Sequence, residues 1–139
     1  MTARRRARLA AVQVLFELDF QSRAADEVIA ERLADTSLTD ENRAFTRDLV
    51  HGVLHHREDI DARIALAAPQ WPVEQIAHVD KNVLRLAIYE LMFDNSAPAK
   101  VVITEAIELA RLLGSATSPK FVNGVLGAVV GKEPAGKGR

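Results

Sequence analysis

The chain contains no cysteine, which excludes a disulfide framework, a thiolate nucleophile and any cysteine-ligated zinc. No apolar run approaches the roughly 20 residues that a membrane-spanning helix needs. The basic N-terminus lacks the apolar stretch and small-residue cleavage site of a secretory signal, because Glu17 and Asp19 interrupt its apolar run. A cytoplasmic location is therefore expected. No segment alternates with a strand's period of two, so no sheet is expected. There is no Gly-rich phosphate loop after a strand, no Ser–His–Asp signature and no CxxC, so neither a catalytic residue nor a cofactor is implied. The carboxylates fall on polar helix faces, where solvation explains them.

What is present is one globular domain's worth of chain. Its 139 residues are 48% apolar and 27% charged, values of an ordinary folded protein long enough for a single core. The net charge of −1 conceals a polarised distribution. Residues 1–8 carry Arg4, Arg5, Arg6 and Arg8 and no acid, whereas residues 9–130 hold 11 basic and 18 acidic residues. Basic ends on an acidic body point to a localised anion contact, not to bulk coating of nucleic acid.

The stretch 79–93, VDKNVLRLAIYELMF, organises the rest. After a polar first turn at Asp80, Lys81 and Asn82, only Arg85 and Glu90 interrupt an apolar run that goes all the way round a helix. Such a helix must be covered on every side. Around it, apolar spacing predicts helices over 4–20, 26–34, 40–56 continuing to Ala67 after a kink near 57–59, 100–113 and 119–130. In the first of these, Leu9, Val12, Phe16 and Phe20 share a face while Val14, Leu15 and Leu18 lie elsewhere, which predicts a deeply packed C-terminal part. Ser37 and Thr39 are N-cap candidates. Pro69 and Pro72 bracket Trp71, which is expected to fold back over the core. Pro98 suits a first helical turn, Gly114 a helix stop, and Ser118-Pro119 a cap followed by proline. Gly124 and Gly127 lie inside the last helix, where each costs about 1 kcal/mol against alanine; close approach of a neighbouring helix is the expected reason. Residues 1–131 read as the domain and 132–139 as a flexible basic tail. The sum is an all-α fold of six or seven helices.

Two features bear on function. Four arginines in the first turns oppose the positive end of the helix dipole, so they either serve a partner or form a frayed, solvated terminus. At the start of the last helix, free N–H groups, Lys120 and Phe121 together favour an anion. Phe121 is either a stacking face or simply core. If the arginine-rich helix lay alongside, the two would make a basic groove with an aromatic in it, suited to single-stranded nucleic acid. His51 and His55, spaced i, i+4 with Asp59 a turn on, lack a firm third ligand, and no metal is expected.

These segments resemble the NusB family of transcription antitermination factors. The carriers are RRRAR at 4–8, VQ at 12–13, LF at 15–16, Gly52-Val53, Ile60-Asp61, VDKNVLRLAIYEL at 79–91, VVITEAIELA at 101–110 and SPKFVNGVLG at 118–127. The resemblance implies two small helical bundles packed across one another, monomeric or homodimeric when free. It implies no catalysis. It implies binding of boxA, a single-stranded element of ribosomal RNA leader transcripts, jointly with NusE, a small-subunit ribosomal protein. The assembly is then delivered to the RNA polymerase elongation complex with other Nus factors. By position, Arg4, Arg5, Arg6, Arg8, Lys120 and Phe121 would contact RNA, Phe16 RNA and NusE, and Asp80 NusE. Phe16 stands where other members can have tyrosine, and Asp80 is one carbon shorter than a glutamate seen elsewhere. An accessory or scaffold role in ribosomal RNA processing or modification, without direct RNA contact, is the alternative.

Overall fold

The structure is a computed structural model in which residues 1–131 are described; the basic tail at 132–139 lies outside them. Among the described residues there are seven α-helices and no strand: α1 Ala3–Phe20, α2 Ala25–Leu33, α3 Asp40–His55, α4 Arg57–Ala67, α5 His78–Tyr89, α6 Ala99–Leu113 and α7 Ser118–Gly131. A single 3-10 turn, Val73–Gln75, leads into α5, and a π turn, Glu90–Asp94, leads out of it. No helix among the described residues is long and apolar enough to cross a membrane.

The helices form two groups. One is α1, α2 and α3; the other is α4, α6 and α7, and α5 packs against α1, α3, α4, α6 and α7. A helix in that position is covered along most of its length. Residues Lys81 through Ile88 are all buried, including Lys81 and Asn82 of the polar first turn. The helix also ends earlier than the apolar run suggests. Asn95 N–H reaches back five residues to the Glu90 carbonyl at 3.0 Å, and Asn95 itself adopts φ 57°, ψ 23°, a left-handed conformation that asparagine tolerates.

Small residues set how closely α1 approaches its neighbours. Ala7, Ala10 and Ala11 are buried, and α3 comes near enough for the Thr46 hydroxyl to donate to the Ala7 carbonyl at 2.9 Å. The buried residues of α1 run from Ala7 to Leu15, its middle. The expected burial of its C-terminal part is wrong: Phe16 is 37% and Phe20 59% exposed. Those last turns overhang the core and are partly covered by the His78 ring, 4.5 Å from that of Phe20.

Local signals fared unevenly. Thr39 caps α3 by accepting from Asn42 N–H, and Thr2, not anticipated, caps α1 through Arg5 N–H at 3.1 Å. The helix expected over 40–56 does break at His56. Pro98 precedes α6 as its cap residue instead of entering its first turn. Ser118 lies inside α7 and turns back to accept from Ser115 N–H at 2.9 Å. Gly114 ends α6 in an extended conformation, and crowding is what requires it, since a Cβ there would collide with the Ser118 side chain. Gly52 is similarly demanded, because a Cβ would collide with the Tyr89 ring. Gly124 and Gly127 contradict expectation: a Cβ on either would meet nothing within 4 Å. Within the described chain no helix approaches them.

Candidate nucleic-acid interface

The four arginines of α1 do not share one fate. Arg8 is buried and clasps Glu90 with two hydrogen bonds of 2.9 Å, the two side chains being 7% and 1% exposed. Arg8, expected at an RNA contact, is thus placed inside the fold. Its helical position turns it inward, where its charge is neutralised across the α1–α5 seam. Arg5 makes a second two-pronged pair with Glu105 of α6, both bonds 2.9 Å. The Arg5 hydrogen bond outweighs burial and holds the Glu105 carboxyl below its usual range. Arg4 and Arg6 remain. Arg4 lies 3.8 Å over the Phe45 ring and donates to Asn42 at 2.9 Å; Arg6 donates to Ser37 at 3.1 Å. Neither has a carboxylate partner among the described residues, so both keep a net positive charge for an outside anion.

From Arg6 a shallow track follows α1. One hollow is lined by Arg6, Leu9, Gln13, Arg32 and the loop at Asp35–Leu38. The next, about 380 Å³, shares Gln13 and Arg32 with it and adds Val12, Phe16, Glu17, Val79 and Leu113. Residues 6, 9, 13 and 16 fall on one face at helical spacing, so the track advances about 15 Å along the helix from Arg6 to Phe16. Phe16 is therefore on the surface, at the track's far end.

Beyond Val79, the first turn of α5 opens on another cavity of about 380 Å³ lined by Trp71, Gln75, Ile76, Ala77, Asp80, Thr117, Lys120 and Phe121. Three residues singled out in the sequence, Asp80, Lys120 and Phe121, thus share one cavity, which sequence separation alone could not show. Phe121 is half-buried and meets Trp71 edge to face, centroids 6.5 Å apart. Trp71 was expected over the core and is instead 48% exposed, because its proline-flanked corner leads the chain outside the bundle. Lys120 is exposed and has no ion pair among the described residues. Asp80 Oδ1 is closed off from solvent with no hydrogen-bond donor.

The arrangement differs from a groove with α1 and α7 side by side. Arg8 joins the start of α1 to Glu90 beyond the end of α5, while Asp19 near the end of α1 joins His78 and Asn82 at the start of α5. The two helices are antiparallel, and Lys120 belongs with the α5 start. Arginines and Lys120 accordingly mark two ends of an elongated surface. Sequence reading gave no role to Gln13, Arg32, Trp71, Gln75 or Thr117; the available signals were the proline-flanked tryptophan and the VQ pair at 12–13.

The histidine pair has other partners: His51 contacts Asp26 at 2.6 Å and Asp59 accepts from Arg63 at 3.2 Å. No group of three metal-ligating side chains occurs among the described residues.

Fold and surface together define an all-helical protein of two crossed bundles, bearing a cationic and aromatic face that follows its first helix. The chain belongs to the NusB family, whose model matches residues 5–131. It is 50% identical over 129 residues to the transcription antitermination protein NusB of Chloroflexus aggregans, covering 91% of this chain and 86% of that protein. It is 46% identical over 131 residues to the NusB of a Roseiflexus species, covering 93% and 92%. Among solved structures, T. maritima NusB superimposes with a TM-score of 0.88 at 35% identity, covering 96% of this chain and 94% of that one. A chain from a complex of antitermination factors NusB and NusE with double-stranded RNA superimposes with a TM-score of 0.86 at 27% identity, covering 96% and 99%.

Proposed function

We propose that this chain is a non-catalytic RNA-binding antitermination factor of the cytoplasm. It binds boxA RNA of ribosomal leader transcripts together with NusE and carries it to the elongating RNA polymerase. Residues 1–131 form the RNA-binding domain, and 132–139 a basic tail. The observation that carries the reading is the succession of hollows from Arg6 along Gln13 and Phe16 to Val79, and from the neighbouring Asp80 to Lys120, Phe121 and Trp71. Unpaired cations at both ends hold a polyanion, and aromatic faces between and beyond them accept unstacked bases, each stack contributing about 1–3 kcal/mol.

Roles are narrower than the resemblance implies. Arg4, Arg6 and Lys120 carry phosphate contacts. Arg5 is held by Glu105 and contributes weakly; Arg8 contributes only to folding. Phe16, lacking a hydroxyl, acts through its ring, and with Asp80 it borders the NusE contact. A gel-shift titration with boxA and scrambled RNA, with and without NusE, tests the reading. Preferential binding of boxA, tightened by NusE, is expected. Equal weak binding of both RNAs that NusE does not change would overturn it.

A further inference from the structure

We propose that Ser37 is a phosphorylation site and that its phosphate takes the place of an RNA phosphate on Arg6. The inference rests on the RNA-binding reading and adds how that surface is switched off.

Ser37 lies in the link 34–39 between α2 and α3, which holds three hydroxyls. Two of them are committed to the helix ends. Thr36 Oγ1 donates to the Leu33 carbonyl at 2.9 Å, and Thr39 Oγ1 accepts from Asn42 N–H at 3.3 Å as the cap of α3. Ser37 is exposed. Its hydroxyl accepts from Arg6 at 3.1 Å, and its own proton has no acceptor among the described residues. Arg43 fixes the backbone on either side of it, donating to the carbonyls of Thr36 and Leu38, each at 3.1 Å.

A hydroxyl presented in this way is a substrate for a serine/threonine protein kinase using ATP. Ser37 Oγ attacks the γ-phosphorus, the bond to the β,γ-bridging oxygen breaks, ADP leaves and the hydroxyl proton passes to the kinase's base. Asp40 and Glu41, both exposed, follow three and four residues on and suit a kinase with a basic substrate cleft.

The product is held where it forms. A phosphoserine carries about −1.5 to −2 charge at neutral pH and three acceptor oxygens. The hollow beside Ser37 offers two guanidiniums, Arg6 and Arg32, against the single carboxylate of Asp35. Arg6 is already in contact. Arg32 is loosely held, since its partner Glu17 is 3.8 Å away and is gripped more closely by Arg23 at 3.0 Å. Both can therefore close on the phosphate with the two-pronged geometry guanidinium favours. The cations that open the track are then neutralised from within, and an incoming RNA backbone meets like charge.

The test installs phosphoserine at position 37 of the full chain, with and without Arg6→Ala. Capture is read by phosphorus NMR with no RNA present. The second ionisation of the phosphate, about 6 when unperturbed, is expected to fall at position 37 and to return toward that value once Arg6 is alanine. Binding is read by titration with single-stranded RNA. The phosphorylated chain should bind about tenfold more weakly, with a salt slope smaller by about 0.7, one phosphate contact. In the Arg6→Ala background phosphorylation should change little. A phosphate that titrates at its unperturbed value overturns the capture, and a lowered ionisation with undiminished RNA binding overturns the switch. If the unmodified chain binds no RNA, the RNA-binding reading fails while the NMR titration still decides the capture. In the chain recovered from its own cells, fragment spectra of the tryptic peptide 33–43 should place phosphate on Ser37. Phosphate absent at every growth stage, or carried only by Thr36 or Thr39, overturns the site.

Discussion

The two ends of α5 are built from similar residues and do opposite things. At its end, Glu90 receives both prongs of Arg8 in a pair almost sealed from solvent. At its start, Asp19 is shared among His78, Asn82, Arg85 and Arg57, Asp80 one turn away has an oxygen with no donor at all, and a cavity opens beside it. A buried charge with its full complement of bonds belongs to the fold. A buried acceptor with none, beside open space and an exposed lysine, is a charge that the fold leaves unsatisfied. The contrast between a closed end and an open one separates structural from functional charges more sharply than charge or sequence position does.

The largest expected effect breaks the closed end. Glu90→Ala leaves the Arg8 guanidinium buried without a counter-charge, and destabilisation of about 3–5 kcal/mol is expected in urea unfolding. Replacing both Arg8 and Glu90 by methionine should recover most of that loss, which would identify the pair as an element of packing and not of binding.

A smaller effect tests the open end. Burial alone would raise the Asp19 carboxyl, but hydrogen bonds from His78 and Asn82, then the charges of Arg85 and Arg57, prevail and hold it below its ordinary value. The native carboxyl therefore keeps its charge to lower pH than the unfolded chain's does. Its stabilisation is complete above the unfolded value, about 4, and disappears as pH falls through the lowered native one. Asp19→Asn should cost about 1–2 kcal/mol at neutral pH, the scale of hydrogen bonds to a charged group. It should also flatten the fall in stability on acidification, as followed by thermal melts at a series of pH values.

Smaller still, and opposite in sign, is the effect expected on α7. Gly124 and Gly127 face open space, so replacing either by alanine should stabilise the isolated chain by up to about 1 kcal/mol. A raised melting temperature checks this; a lowered one would show that a neighbour does approach this face.

The helices were legible because their signal is local. Apolar spacing in α3 and α6 is carried by neighbours one turn apart, and the all-round apolar run of α5 foretold its central position. The fate of each charge was not legible. Whether Arg8 is a ligand contact or half of a buried pair depends on Glu90, 82 residues away, and nothing in RRRAR distinguishes the fourth arginine from the first. Phe16 and Phe20 share a face with the buried Val12, yet α1 extends past the core before reaching them. Trp71, Asp80 and Phe121 meet only because the 3-10 turn and the α6–α7 link bring three separate segments to one corner. The helix start at Ser118-Pro119 singled out Lys120 and Phe121, the resemblance to the NusB family added Asp80, and the fold supplied the cavity that joins them.

The most direct test of the account is the salt dependence of RNA binding when the free and the buried arginines are treated separately. Substituting Arg4 and Arg6 together by alanine should weaken RNA binding and reduce the slope of log K against log salt by about 1.4, two phosphate contacts at about 0.7 each for single strands. A folded Arg8→Met, Glu90→Met chain should keep the parental slope. An unchanged slope in the Arg4, Arg6 variant, or an equal loss in the Arg8, Glu90 variant, would contradict the division between functional and structural charge.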